Sequence, residues 1–357
     1  MNKTDIRLLI VTQIVDQNDD VLGFFHRWLE VFSNKFERIS VVCLKKGENS
    51  LPKNISVYSL GKENNELGIR KKELWSRLKY SLKFVRYIVQ KRKDYDRVFV
   101  HMNQEYVLLG GLLWKLMGKK ITMWRNHQAG NFLTRIAVVL SDKVFCTSPS
   151  AFVAQFKKTV IMPVGIDTNF FQASGSAIEP ATILFFGRMD KIKRPDLFID
   201  SLEILRKRGQ IFRAEIVGNA TNISFMEKLA IQIDRCDLTD QVKLLPGLPY
   251  IRSADMYGHH EVYVNLTPDG SMDKTIIEAM ASGVLPVVTN SFFKNKIDDH
   301  FVTGDEPSAI AGHISRILAM TPAEKQGHRD RLRQYAVKNH SLNLLADGLA
   351  DELQFLK

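Results

Sequence analysis

This sequence predicts an α/β protein of two doubly wound domains in tandem, facing a cleft. Three observations predict it. Continuous apolar strands alternate with helical stretches, the alternation starts afresh after an aperiodic Gly/Ser/Pro segment, and 357 residues suit two domains better than one. Apolar runs without polar alternation read as parallel strands buried on both faces, and such sheets take ligands beyond the carboxyl ends of their strands. Functional residues are therefore sought in the loops that follow strands.

Residues 1–165 carry the first alternation. Ile6 to Thr12 reads as a buried strand, followed by the polar loop Gln13 to Asp20 and an aromatic helix from Val21 to Asn34. Strand signals recur at Ile39 to Leu44, Ile55 to Leu60, Arg97 to His101, Lys120 to Trp124 and Lys143 to Thr147. Between the third and fourth of these strands, Ile69 to Lys93 sets ten Lys/Arg against one acidic residue, Glu73. Leu74, Leu78, Leu82, Val85 and Val89 recur there at helical spacing, which reads as a basic amphipathic helix.

Gly165 to Pro180 loses periodicity, so residues 166–180 are the expected linker. A second alternation follows in residues 181–340. It runs through strand Thr182 to Phe186, helix Pro195 to Arg208, strand Phe212 to Val217, helix Ser224 to Arg235 and strand Val242 to Leu245. These are two Rossmann-like halves. Residues 341–357 form a final helix expected to pack back on the first domain.

Composition narrows the class. With 45% hydrophobic and 25% charged residues the chain is globular. Cys43, Cys146 and Cys236 are scattered without CxxC spacing, so neither a zinc site nor a disulfide framework is expected, and a reducing cytoplasm fits. The opening residues run into a strand without a signal-like core, and the longest apolar run, Tyr106 to Trp114, is too short to span a bilayer. Charge is uneven: 28 Lys/Arg face 14 Asp/Glu through Val160, against 22 and 25 beyond it. Such a basic half suits nucleic acid or an anionic membrane surface. No nucleic-acid module is readable, which leaves the membrane surface as the expected partner.

The richest stretch is Val262 to Asn290. It reads as strand, turn (Pro268, Asp269, Gly270), a helix from near Asp273 with Ile276, Ile277, Met280 and Ala281 on its apolar face, Gly283 as C-cap, and strand. A helix starting there points N–H groups and its positive dipole end into the turn, which favours an anion. Glu278 lies one and a half turns in, where a carboxylate needs a partner such as a ribose diol or else faces solvent. A second motif spans Phe185 to Leu202: Gly187 lets backbone approach a ligand, while Arg188 and Lys193 can converge on a diphosphate.

At these residues the chain resembles a known family. GRMDKIKRPDLFIDSL looks like the GR-(x4)-K segment of retaining GT-B glycosyltransferases of family 4, and GSMDKTIIEAMASGVLPVV like their glutamate-bearing EAMA-x-G-x-PVV segment. MPVGIDTNFF is similar to their interdomain signature, and in the first half KKITMWRNHQAG ends a strand in a histidine. The resemblance implies that Arg188 and Lys193 hold the donor diphosphate, Glu278 the ribose, and that His127 lies at the transferred sugar. The donor side would comprise Gly187, Arg188, Lys193, Asp269, Gly270, Ser271, Met272, Asp273, Lys274, Thr275 and Glu278, with Gly23, His26 and His101 toward the acceptor. One departure stands out: family members commonly carry an acidic residue eight positions before the helix glutamate, and Gly270 occupies that place. Asp269 or Asp273 can supply a carboxylate there, or Asp273 can serve as a helix N-cap.

His101 ends a buried strand and can equally be a core residue, and His26 sits beside Phe24, Phe25 and Trp28. Asp94 and Asp96 form a lone DxD, but at the N-terminal edge of a strand, so no metal is expected. The reading is a transferase that moves a hexose-type sugar from a nucleotide diphosphate sugar to a hydroxyl of a lipid-linked or growing cell-surface glycan, with retention and without metal or cofactor. It would work as a peripheral protein on the inner membrane face, expected to bind no nucleic acid. The rivals are an epimerase or phosphorylase on the same scaffold and a non-catalytic sugar-nucleotide-binding partner.

Overall fold

In the computed structural model, which describes residues 3–62, 70–172, 178–220, 222–270 and 272–356, the chain forms two units. One comprises Met1–Gly165 with Leu342–Lys357, the other Ile166–Ser341.

The first unit is built on seven parallel strands. In chain order its elements are β1 (Thr4–Val15), α1 (Gly23–Phe32), β2 (Phe36–Lys46), β3 (Ile55–Ser59), α2 (Arg70–Gln90), β4 (Arg97–His101), α3 (Gln104–Leu116), β5 (Lys120–Trp124), α4 (Phe132–Leu140), β6 (Lys143–Cys146) and β7 (Thr159–Ile161). The sheet order is β3-β2-β1-β4-β5-β6-β7. β1 runs into the segment read as loop because Ile14 and Val15 pair with Lys45 and Lys46 of β2. Side chains alternate along β1. Leu9 and Val11 join Phe84 and Ile88 of α2, Trp114 of α3 and Ala137 of α4 in one core.

Helix α2 packs by a different ridge from the expected one. Tyr80, Phe84 and Ile88 are buried, whereas Leu78, Leu82 and Val89 are exposed and Trp75 is 73% exposed. Aromatic side chains cover more apolar area than leucines, so the face bearing Tyr80 and Phe84 wins the sheet.

The second unit holds β8 (Thr182–Phe186), α5 (Pro195–Lys207), β9 (Arg213–Val217), α6 (Ile223–Arg235), β10 (Val242–Leu245), α7 (Ser253–Gly258), β11 (Val262–Asn265), α8 (Lys274–Ala281), β12 (Leu285–Val288), α9 (Pro307–Ala319) and α10 (Pro322–His340). Its parallel sheet has the order β10-β9-β8-β11-β12. The order therefore reverses between β8 and β11, which pair directly through Ile183 with Val262 and Leu184 with Tyr263. The loops after these two strands therefore start side by side at the carboxyl ends, the position where open parallel sheets take ligands.

The last helix, α11 (Leu342–Gln354), lies in the first unit against α1 and β1. Arg97 of β4 donates to the carbonyls of Leu353 at 3.3 Å and Leu356 at 3.0 Å, and Lys143 pairs with Glu352.

Candidate active site

The loops after β8 and β11 bring the two motifs together. Gly187 ends β8 with φ +152°, in the backbone region that favours glycine, and its N–H bonds Val217 O at 3.1 Å. Arg188 follows, 54% exposed, with Nη2 at 3.6 Å from Asp190. Asp190 turns the chain back by accepting from the N–H groups of Ile192 at 3.1 Å and Lys193 at 3.2 Å. That turn delivers Lys193 to the loop after β11.

Lys193 and Asp273 form an ion pair, 16% and 12% exposed at their side chains. Nζ also donates to Thr267 Oγ1 at 3.2 Å. Asp273 Oδ2 accepts from Asn265 Nδ2 at 2.8 Å and Thr267 Oγ1 at 3.1 Å. Burial alone would raise the Asp273 pKa, but the Lys193 charge and these hydrogen bonds outweigh it and hold the carboxyl below its usual range. Asp273 stands at the N-cap position of α8, yet its carboxylate makes no cap bond. The N-cap alternative for its side chain is thus corrected: an ammonium is a stronger partner for a buried carboxylate than a backbone N–H.

The gap at Gly270 is a backbone feature, with φ +116°. Asp269, beside it, accepts from the Ser291 N–H and hydroxyl, each at 2.6 Å, and so faces the loop after β12. Ser271 lies outside the described residues. Met272 is buried, and Thr275 Oγ1 accepts from Asn265 at 3.1 Å.

Glu278 is buried on α8, where the Tyr257 hydroxyl donates to Oε2 at 3.2 Å. Burial pushes its pKa up to about 7, against the opposing charge of Lys274. Burial drives Lys274 the other way, well below the ordinary lysine range, with the Glu278 charge opposing. At the far end of α8, Arg333 donates to Ala281 O, placing a cation at the helix C-terminus and fixing its axis.

The first-unit candidates scatter. His127 is exposed in the loop after β5, where Nδ1 accepts from the Ala129 N–H at 3.0 Å and Arg125 braces the loop through His127 O at 3.1 Å and Ala129 O at 2.8 Å. Gly23 is buried as the first residue of α1, with its N–H on Asp19 O at 3.1 Å. His101 is a core residue: its ring stacks on Phe25 with centroids 4.1 Å apart, and Nδ1 lies 3.2 Å from Thr12 Oγ1. His26 is buried too, its Nε2 accepting from the Ser50 N–H at 3.3 Å, and burial lowers its pKa. An open acceptor face for His26 and His101 is corrected accordingly: Phe24, Phe25 and Trp28 of α1 surround the His101 ring, and His26 is buried with its Nε2 taken by the Ser50 N–H.

Sequence reading missed Asn265, Thr267 and Tyr257. The first two were visible only as polar residues ending an apolar strand, and Tyr257 sits on a six-residue helix without periodicity. The Asp94/Asp96 pair is structural: Arg7 donates to both oxygens of Asp96, at 2.9 and 2.7 Å, and Lys91 lies 3.6 Å from Asp94. Among the described residues, Asp298, His300 and His328 bring metal-competent donors within 4.8 Å of one another. Arg331 bonds His328 Nδ1 at 2.9 Å, however, setting a fixed positive charge against a cation there.

Residues 180–320 match the family described as Glycosyl transferases group 1. A D-inositol 3-phosphate glycosyltransferase of Xylanimonas cellulosilytica is 26% identical over 198 residues, 54% of this chain and 45% of that protein. The chain thus spans less than half the length of that curated relative. HepE of Anabaena, crystallised with UDP and glucose, superposes with a TM-score of 0.76 at 17% identity, over 98% of this chain and 100% of that one. Sucrose-phosphate synthase of Thermosynechococcus elongatus gives 0.76 at 15% identity, over 98% and 99%. Likeness at this level shows the fold, which is GT-B.

Proposed function

We propose, for a chain whose residues 180–320 match the glycosyl transferases group 1 family, that the protein moves a hexose-type sugar from a nucleoside diphosphate sugar to a hydroxyl of a lipid-linked or growing glycan, with retention. The observation that carries this reading is the meeting of Lys193 with Asp273 and Thr267 at the start of α8. A cation and a helix N-terminus come together there where the strand order reverses, the usual ligand position of open parallel sheets. The UDP and glucose held by HepE support a nucleoside diphosphate sugar as donor.

In this reading the bond between the anomeric carbon and the diphosphate oxygen breaks while the acceptor hydroxyl oxygen bonds to the same face of that carbon; the diphosphate leaves with the electron pair and takes up the hydroxyl proton. Lys193, Arg188 and the α8 N–H groups stabilise the charge that builds on it, so the step assigns no part to a divalent ion. Glu278 accepts the ribose hydroxyls. His127 serves the transferred sugar, and Gly23 remains on the acceptor side. Thermal unfolding with a panel of nucleoside diphosphate sugars tests the reading: stabilisation by at least one supports it, and none by any contradicts it.

The same reading seats the first unit on an anionic inner membrane face. Strands β4, β5 and β6 succeed one another in one direction, so right-handed crossovers put α2, α3 and α4 on one side of the sheet, with α3 packed between the other two. Exposed apolar side chains stud all three: Trp75 and Leu82, Leu112 and Leu116, Phe132 and Val139, with Leu116 85% exposed. Arg77, Lys79, Lys83, Arg86 and Lys115 are exposed among them. Apolar side chains ringed by cations fit an anionic bilayer surface. No helix among the described residues is long and apolar enough to cross a membrane.

A further inference from the structure

We propose that Asp273 is a positioning residue: it holds the Lys193 ammonium at the start of α8, so that a single hydrogen of that group is left to meet the donor diphosphate. This rests on the nucleotide-sugar reading of the same site.

An ammonium has three hydrogens and no acceptor. Two are committed here, one to Asp273 and one to Thr267 Oγ1 at 3.2 Å. Thr267 passes its own hydrogen to Asp273 at 3.1 Å, closing a three-membered ring of contacts. The ring is itself anchored. Asn265 bonds Asp273 at 2.8 Å through its amide nitrogen and accepts from the Thr267 N–H at 3.1 Å through its oxygen. The Lys193 backbone is fixed as well, by Asp190 O at 3.1 Å. A lysine stem is flexible, and without these contacts its charge would spread over many positions.

Of the two carboxylates flanking Gly270, Asp273 pairs with the cation. Asp269 is engaged by Ser291. Asp273 thus acts through Lys193 and not as a substitute for the acidic residue that Gly270 replaces.

Two readouts test this. Acylation of Lys193 by an amine-reactive probe, followed by mass spectrometry, should run about fivefold faster in Asp273→Asn than in wild type, because the ammonium is released from its buried partner. Binding of nucleoside diphosphates by calorimetry should weaken about tenfold in Asp273→Asn but change within about twofold when the same substitution is made on Lys193→Ala, since a residue acting through another loses its effect once that one is gone. Thr267→Val removes one contact of the ammonium without stranding a charge, and should give intermediate labelling even if Asp273→Asn fails to fold. Equal losses in both backgrounds, or unchanged Lys193 labelling, would overturn the inference and give Asp273 a direct contact with the ligand. Failure of wild type to bind any nucleoside diphosphate would instead overturn the transferase reading, and this role with it.

Discussion

The Tyr257 hydroxyl donates to Glu278 Oε2 at 3.2 Å, with both side chains buried. Burial raises the Glu278 pKa to about 7, so in the unliganded protein this carboxyl is largely neutral at pH 6 and largely ionised at pH 8. A ribose diol donates hydrogens and prefers the ionised form. Nucleoside diphosphate affinity should therefore rise with pH through about 7. The nucleotide's own phosphate titrates nearby, so the check is calorimetry of wild type against Glu278→Gln. Part of the pH dependence should vanish in the variant, and superimposable profiles would remove Glu278 from the site.

The same group shapes stability. An acid whose folded pKa lies above its unfolded value stabilises the fold in its protonated form. Its cost is absent below the ordinary 4.5, grows as pH rises, and is complete above about 7. Glu278→Gln should thus unfold at a higher temperature than wild type at pH 8 and show little difference at pH 4.

Lys193 and Arg188 should separate by stability although the proposed reaction gives both to the diphosphate. Either alanine variant should raise the reaction barrier by about 3 to 4 kcal/mol, the size of losing a preorganised charge-stabilising donor. Lys193→Ala also strands the buried Asp273 carboxylate, a loss of about 3 kcal/mol or more in fold stability when one partner of a buried pair is removed. Arg188 is 54% exposed, and its loss should change stability by less than about 0.5 kcal/mol. Denaturant unfolding of both variants checks the split.

Much of this site was legible because its parts are local. Gly187, Arg188 and Lys193 follow a strand within one loop, and Glu278 lies on a helix with a clear apolar face. What was not legible is long-range. Asp273 offered a local role as N-cap, whereas its actual partner is 80 positions away and reaches it only because β8 and β11 are neighbours at the reversal of strand order. In α2, two apolar ridges shared one helical period, and periodicity alone does not say which one meets the sheet. Strand β7, three residues long at the sheet edge, carries too little apolar signal to be read.

The exposed face of α2, α3 and α4 makes a separate prediction. Sedimentation with liposomes should require anionic lipid and fall steeply from about 50 to 500 mM salt as screening sets in. It should weaken when Trp75, Leu112 and Leu116 become Ser, or when Lys79 and Lys83 become Glu. Equal binding to neutral vesicles, or none to either, would leave these side chains as ordinary surface.

With charge stabilisation assigned to Lys193 and Arg188, as proposed, the step needs no divalent ion. Turnover should persist after extensive chelation, and its restoration only by Mg²⁺ or Mn²⁺ would contradict that assignment.

The central claim is that the loops after β8 and β11 bind the diphosphate of a nucleotide sugar. Calorimetric titration of the wild-type protein and the Arg188→Ala/Lys193→Ala double variant with UDP, GDP and ADP tests it most directly. The account predicts saturable one-to-one binding of at least one nucleotide by wild type and a loss of about a hundredfold or more in the variant, as two charge-assisted contacts disappear. Absence of binding by wild type to all three, or equal affinity in the double variant, would contradict it.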